Sequence, residues 1–144
     1  MKKRVYPKNP LVGVGALVFK SNSVLLIRRG EPPLEGAWSL PGWRCRSNES
    51  LPEALRREVH EECGIEIEVA DLLKLFEYIE RDDRDRVKYH YVVFDFKALY
   101  RDGMLNPSSD AADARWIPLD GLDNYELSDA LWGVVREAMK RNRA

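Results

Sequence analysis

Apolar and polar positions along the chain follow two periods, and the change from one to the other marks the elements. Residues 11–19 (LVGVGALVF) form an almost unbroken apolar run, which predicts a buried strand loosened by Gly13 and Gly15. Ser21-Asn22-Ser23 is turn chemistry, and residues 24–27 return as a second strand. Residues 28–36 (RRGEPPLEG) read as loop throughout. Trp38-Ser39-Leu40 suits a short strand, stopped by Pro41-Gly42. The period then becomes helical. Ser50 is a good N-cap, Glu53 completes a capping box, and Pro52 lies in the first turn, where its missing N–H does no harm. Leu51, Leu55 and Val59 make an apolar stripe at i, i+4 and i+8, and Gly64 supplies the stop.

Beyond Gly64 the period of two returns. Residues 65–69 alternate apolar and acidic side chains, as a strand does. Residues 72–79 predict another strand, although Leu72, Leu73, Leu75 and Phe76 also suit a helix. The charged run 81–86 reads as a solvated hairpin tip. Residues 87–99 (VKYHYVVFDFKAL) form a long strand rich in β-branched and aromatic residues. Asp102-Gly103 and Asn106-Pro107 mark turns. Residues 115–118 predict a short edge strand ended by proline. From Ser128 onward the chain is an amphipathic helix with Leu131, Val134, Val135, Ala138 and Met139 inward. Trp116 and Trp132 are expected in cores, His60 in solvent, and His90 as a packing residue. The order of elements implies a mixed α/β domain.

Composition narrows the class. The chain has 144 residues, with 23 Lys and Arg against 24 Asp and Glu, for a net charge of -1. That length suits one domain over residues 1–144. The near-neutral charge argues against binding to a nucleic-acid polymer. There is no apolar run long enough to span a membrane and no signal-peptide pattern, so a cytoplasmic location is expected. Cys45 and Cys63 have no zinc spacing and allow at most one disulfide, and a reducing compartment is the simpler reading. Asn48-Glu49-Ser50 fits a glycosylation sequon, discounted without a secretion signal.

The candidate chemistry sits on the first helix. Glu58, Glu61 and Glu62 occupy i, i+3 and i+4, hence one helical face. Like charges at these spacings each cost a few tenths of a kcal/mol, a cost that a hard divalent cation such as Mg²⁺ removes. The bland reading is a solvated acidic face on which Arg57 pairs with Glu53 and Glu61.

The surrounding spacing favours the sharper reading. Position 43, Glu49, Arg57-Glu58, Glu61-Glu62 and Gly64-Ile65 resemble the Nudix box. That pattern is Gly, five residues, Glu, seven residues, then Arg-Glu-aliphatic-x-Glu-Glu-x-Gly-aliphatic. Here it runs W-RCRSN-E-SLPEALR-REVHEECGI, with Trp43 in place of the first glycine. LLIRR at 25–29, AWSLPG at 37–42, YHYVVF at 89–94 and ARWI at 114–117 are similar to the same family, so the likeness covers nearly the whole chain. It implies an α/β/α sandwich around a mixed sheet. It also implies a pyrophosphohydrolase acting on a nucleoside diphosphate linked to another group, with Mg²⁺ or Mn²⁺ as cofactor. The substrate is ADP-ribose-like or a nucleoside triphosphate, and the chain looks most like the small ADP-ribose pyrophosphatase-like members. By motif position, Glu58 and Glu62 are metal ligands, Glu61 is a ligand or the water-orienting base, and the Gly42 carbonyl is a further ligand. Arg57 holds the glutamates, and Glu49 braces the loop or approaches the metal. Arg28 and Arg29 are candidates for phosphate contact or an ordinary surface pair. Asp110 and Asp113 are candidates for a later acid. A homodimer remains an option.

Trp43 departs from the pattern. If that position needs φ > 0, a bulky residue there costs about 1–2 kcal/mol. Asn48, where family loops often have glycine, tolerates left-handed geometry better than most residues. Three explanations stay open for the 43–48 loop. They are drift with activity kept, retuned substrate binding through Trp43, Arg44 or Arg46, or a nucleotide-binding domain with weak or lost catalysis. Cys45 is a reactive thiol if exposed and a small apolar filler if not.

Overall fold

The computed structural model describes residues 5–108 and 110–142. Strands β1 (Leu11–Lys20), β2 (Ser23–Arg29), β3 (Trp38–Ser39), β4 (Glu66–Arg81), β5 (Val87–Asp102) and β6 (Ala111–Pro118) form one six-stranded mixed sheet. Only β1 and β5 run parallel; β1–β2, β2–β3, β2–β6 and β4–β5 are antiparallel. Helix α1 (Leu51–Cys63) covers one face and α2 (Asp129–Asn142) the other. This is the expected α/β/α arrangement.

The continuous apolar run of β1 follows from burial on both faces. Val14, Ala16 and Val18 pack with Leu55 and Val59 of α1, whereas Leu17 packs with Leu131 and Val134 of α2. The sheet forks beside this strand. β1 pairs with β2 only at Phe19↔Val24 and Lys20↔Ser23, after which β2 pairs with β3. The 41–45 segment fills the fork. Ala16 N–H donates to Pro41 O at 3.0 Å, Val14 N–H to Trp43 O at 3.1 Å, and Cys45 N–H to Val12 O at 3.3 Å. The loop thus lies alongside β1, tied to it by backbone hydrogen bonds and an isolated bridge between Gly13 and Arg44, without becoming a strand. Gly13 makes this possible, since a Cβ there would lie 2.7 Å from Trp43 O.

α1 carries the anticipated caps. Ser50 Oγ accepts from Glu53 N–H, the Glu53 carboxylate accepts from Ser50 N–H, and Gly64 closes the helix at φ 76°. The stretch 65–79 differs from expectation. It is one strand of 16 residues, bent by register shifts between Val69 and Leu72 and between Leu72 and Lys74. Pairing along its length with β5 overrides the helical look of the leucines, and Leu72, Leu75 and Ile79 remain exposed. β6 begins at Ala111, earlier than the four-residue strand expected, because its backbone pairs with all of β2. A 3₁₀ turn at Leu119–Asn124 was not foreseen. The hairpin tip is as expected, with Asp82 accepting from Arg84 and Arg86 N–H groups. Trp116 packs edge-on against Tyr100, and Trp132 borders the α2 core. His60 is exposed beside Glu66; His90 pairs with Glu77 across the hairpin. Both cysteines are free. Cys45 is half-buried against the α1 core and burial raises its pKa, so it is the filler rather than the reactive thiol. Among the described residues no helix is long and apolar enough to cross a membrane.

Candidate active site

Arg57 is the hub of the acidic cluster. Its Nε donates to Glu49 Oε2 at 2.6 Å and its Nη2 to Glu49 Oε1 at 3.0 Å, a bidentate pair. Nη1 donates to Glu58 Oε2 and to Glu61 Oε1, both at 3.0 Å, and Nη2 also reaches Arg44 O at 2.9 Å. One guanidinium therefore ties three carboxylates and the fork segment together. Hydrogen bonding by Arg57 holds the Glu49 carboxyl below the usual carboxylate range. Glu49 also accepts from Arg46 N–H at 2.9 Å, which fixes the loop that precedes the helix.

The three helical glutamates are not equivalent. Glu58 and Glu62 are 6% and 4% exposed, whereas the Glu61 side chain is 41% exposed. Glu62 Oε1 accepts from Gly42 N–H at 3.0 Å, and Glu58 Oε1 accepts from Arg44 N–H at 3.4 Å. Burial, and after it the negative charge of Glu58, pushes the Glu62 carboxyl up to about 8, with Asp110 adding in the same direction. The pocket around Glu62 is thus short of positive charge. Two buried hard-oxygen donors that repel each other fit a divalent cation. Among the described residues, however, no group of three His, Cys, Asp or Glu is gathered to hold an ion. Glu61 lies with Arg57 and with Arg46, whose Nη2 is 3.9 Å away.

The unusual backbone lies on either side of Trp43. Gly42 has φ 103° and Asn48 φ 65°, whereas Trp43 has negative φ. The strain expected for a bulky residue at the first box position is therefore absent. Gly42 itself cannot carry a side chain, since a Cβ would lie 2.6 Å from Val14 O. Asn48 adopts the left-handed geometry anticipated for it. The Trp43 ring lies 4.6 Å from Tyr91 and 6.4 Å from Tyr78, with the Arg29 guanidinium 4.8 Å from its centroid. Its Nε1 is buried without a hydrogen-bond partner.

Arg29 and Arg28 separate. Arg29 is buried, and its Nε donates to Pro33 O at 2.6 Å. Arg28 is exposed on β2, in register with Trp38 on one side and Asp113 on the other. Asp110 is near enough to act on Glu62 and its carbonyl accepts from Gly30 N–H, while Asp113 pairs with Arg115. The 104–108 segment also caps α1. Ser108 N–H donates to Glu62 O and Ser108 Oγ to Glu61 O at 2.7 Å.

A cavity of about 260 Å³ adjoins this cluster through Gly42 and Trp43. Trp38, Phe76 and Tyr78 provide further aromatic wall, and Leu131 of α2 lines it as well. One charged side chain in that wall, Asp95 of β5, is 4% exposed. Sequence reasoning passed over it. The signal was present as an acid at an inward position of an otherwise apolar strand, since Tyr91 and Val93 share its parity and are buried.

The fold and the acidic helix define a hydrolase class, and comparison places the chain within it. The NUDIX domain family model matches residues 9–138, and the chain belongs to that family. It is 33% identical over 121 residues to the ADP-ribose pyrophosphatase of Methanocaldococcus jannaschii, covering 84% of this chain and 69% of that protein. The crystal structure of a MutT NUDIX hydrolase from Burkholderia pseudomallei superimposes with a TM-score of 0.77 at 29% identity, over 90% of this chain and 98% of that one. The NUDIX domain of Shewanella oneidensis NrtR, solved in complex with ADP ribose, gives 0.72 at 25% identity, over 93% and 89%. The chain is a pyrophosphohydrolase of this family.

Proposed function

We propose that the chain cleaves the pyrophosphate bond of a nucleoside diphosphate joined to a further group, ADP-ribose-like or a nucleoside triphosphate, with Mg²⁺ or Mn²⁺ as cofactor. The observation that carries this reading is the buried Glu58–Glu62 pair, bonded through Gly42 N–H to the edge of an aromatic-walled cavity. Glu58, Glu62 and the Gly42 carbonyl would hold the ion, with Glu61 at its margin. When bound, a divalent cation supplies charge that offsets the negative pyrophosphate and the charge gained by the leaving phosphate.

The protein's own groups do the rest. Water attacks one phosphorus, the bond from that phosphorus to the bridging oxygen breaks, and the water proton passes to a carboxylate. Glu61 is assigned the proton, because it is the one helical glutamate of the three that meets solvent. Arg57 positions Glu58 and Glu61, and Glu49 fixes Arg57. Trp43 forms substrate wall, and Arg29, already engaged with Pro33 O and the Trp43 ring, supports that wall rather than a phosphate. Arg28 remains the candidate for phosphate contact. A nucleotide-binding domain with weak or lost catalysis is the alternative that the atypical 43–48 loop suggests, and the negative φ at Trp43 removes backbone strain at that residue from its support.

The test is a substrate panel with Mg²⁺ or Mn²⁺ containing ADP-ribose, nucleoside triphosphates, dinucleoside polyphosphates and NADH, run beside Glu62→Gln. Turnover of one class that disappears in Glu62→Gln is expected. Ligand binding without turnover of any member would replace this reading with the binding-domain one.

A further inference from the structure

Asp95 is the group in the cavity that the hydrolysis does not use. It lies on β5 beside Gly15 of β1, and the two are register partners. Gly15 leaves the space that the carboxyl fills, since a Cβ there would sit 2.2 Å from Asp95 Oδ1. No hydrogen bond or ion pair reaches the Asp95 carboxyl among the described residues, although this side chain lines the cavity at 4% exposure. An unpartnered buried carboxyl is costly, and a protein that keeps one in a ligand cavity has a use for its hydrogen bonds. Burial alone pushes this group up to about 7, with no charged neighbour shifting it. It therefore keeps its proton at mildly acidic pH, and then presents one acceptor and one donor side by side. The walls around it are aromatic and suited to stacking on a planar ring. Glu126, the other acid of the lining, is exposed.

We propose that Asp95 reads the nucleobase of the substrate. Its carbonyl oxygen accepts from an exocyclic amino group, and its hydroxyl donates to the ring nitrogen beside that group, the edge that adenine presents. Hypoxanthine and guanine pair with the same carboxyl once its proton sits on the other oxygen, whereas an unsubstituted purine has no exocyclic partner and leaves one carboxyl oxygen unpaired. Asp95 is thus a specificity-determining residue, and this assignment rests on the reading of the cavity as the nucleotide site of the hydrolase.

Equilibrium binding of AMP and of purine riboside 5′-monophosphate to the unmodified chain at about pH 6, by calorimetry, tests the assignment without requiring turnover. AMP is expected to bind about tenfold or more tightly, the order of effect of an unpaired polar site. Equal affinities would overturn the proposal. Asp95→Asn keeps an acceptor beside a donor and should retain the preference, whereas Asp95→Leu should erase it by weakening AMP to the level of the unsubstituted purine nucleotide. With ADP-ribose and its unsubstituted-purine counterpart as substrates, the same loss should fall on KM. A folded Asp95→Leu that still prefers AMP would also overturn the proposal. Absence of turnover would defeat the hydrolytic reading alone, because the two nucleotide affinities still decide the role of Asp95.

Discussion

The two sides of the fork each bury a carboxyl that the fold pushes upward, and they differ in cause. At Glu62 desolvation is joined by the charge of Glu58 and Asp110, and the carboxyl rises to about 8. At Asp95 desolvation acts alone and the carboxyl rises to about 7. The first site is crowded with negative charge, which in the proposed function a cation would offset. The second is apolar with no charged neighbour, and in the proposed assignment a hydrogen-bonding partner would satisfy it. Similar shifts therefore announce different ligands, and the neighbours rather than the value separate them.

The largest expected effect tests the crowded side. Glu62→Gln removes a buried charge beside Glu58 and should lower kcat/KM by about a thousandfold, in line with loss of a preorganised electrostatic group. The same change should raise the melting temperature of the metal-free protein at pH 8. A variant that is both inactive and less stable at that pH would contradict the description of Glu62 as short of positive charge.

The next effect concerns pH. Both carboxyls have folded values above their ordinary ones, from 4.5 to about 8 for Glu62 and from 3.8 to about 7 for Asp95. The stability tied to their protonated forms is present below about pH 4 and is lost as pH rises through 7 to 8. Thermal melts in a chelator should show stability falling between pH 5 and 8 by a few kcal/mol, since each shifted carboxyl contributes at most about 1.4 kcal/mol per pKa unit before relaxation of its site. Mg²⁺ should stabilise more at pH 8 than at pH 6, because it binds the ionised form. A flat profile in chelator would remove the distinction between the two sides.

Trp43→Gly restores the first glycine of the box pattern. The ring packs on Tyr91 and Tyr78 under Arg29, so its loss should cost about 2–3 kcal/mol in denaturant unfolding. No gain in activity is expected, since no backbone strain at residue 43 is relieved. Arg57→Lys keeps the charge but loses the fork that grips Glu49, and kcat should fall about tenfold with little change in KM. The smallest effect is Ser50→Ala, which removes the cap of α1 and should cost about 1 kcal/mol without altering the ratio of activities on different bases.

Much of the acidic side was legible because its rules are local. Ser50, Glu53 and Gly64 signal where α1 starts and stops, and helical periodicity then sets Glu58 and Glu62 on one face and Leu55 and Val59 against the sheet. Which glutamate would be buried was not legible. Glu61 differs from Glu62 by one residue, and only the packing of the 41–45 segment and of residues 104–108 makes one accessible and the other enclosed. The joined strand at 66–81 was hidden for a related reason, since its leucines carry a helical spacing that only cross-strand pairing with β5 overrules. Arg28 and Arg29 looked like a pair, and the fold gives them different surroundings.

The sequence by itself determined the elements, the caps, the spacing of the acids and the family, because hydrophobic period, capping and motif spacing act over a few residues. Tertiary structure decided the rest. It tied a loop to β1 by backbone hydrogen bonds inside the fork of the sheet, set Trp43 there with negative φ, and brought Gly15 under Asp95. Those outcomes depend on backbones and side chains distant in sequence sharing one small volume, where close approach and loss of water fix what each group can do.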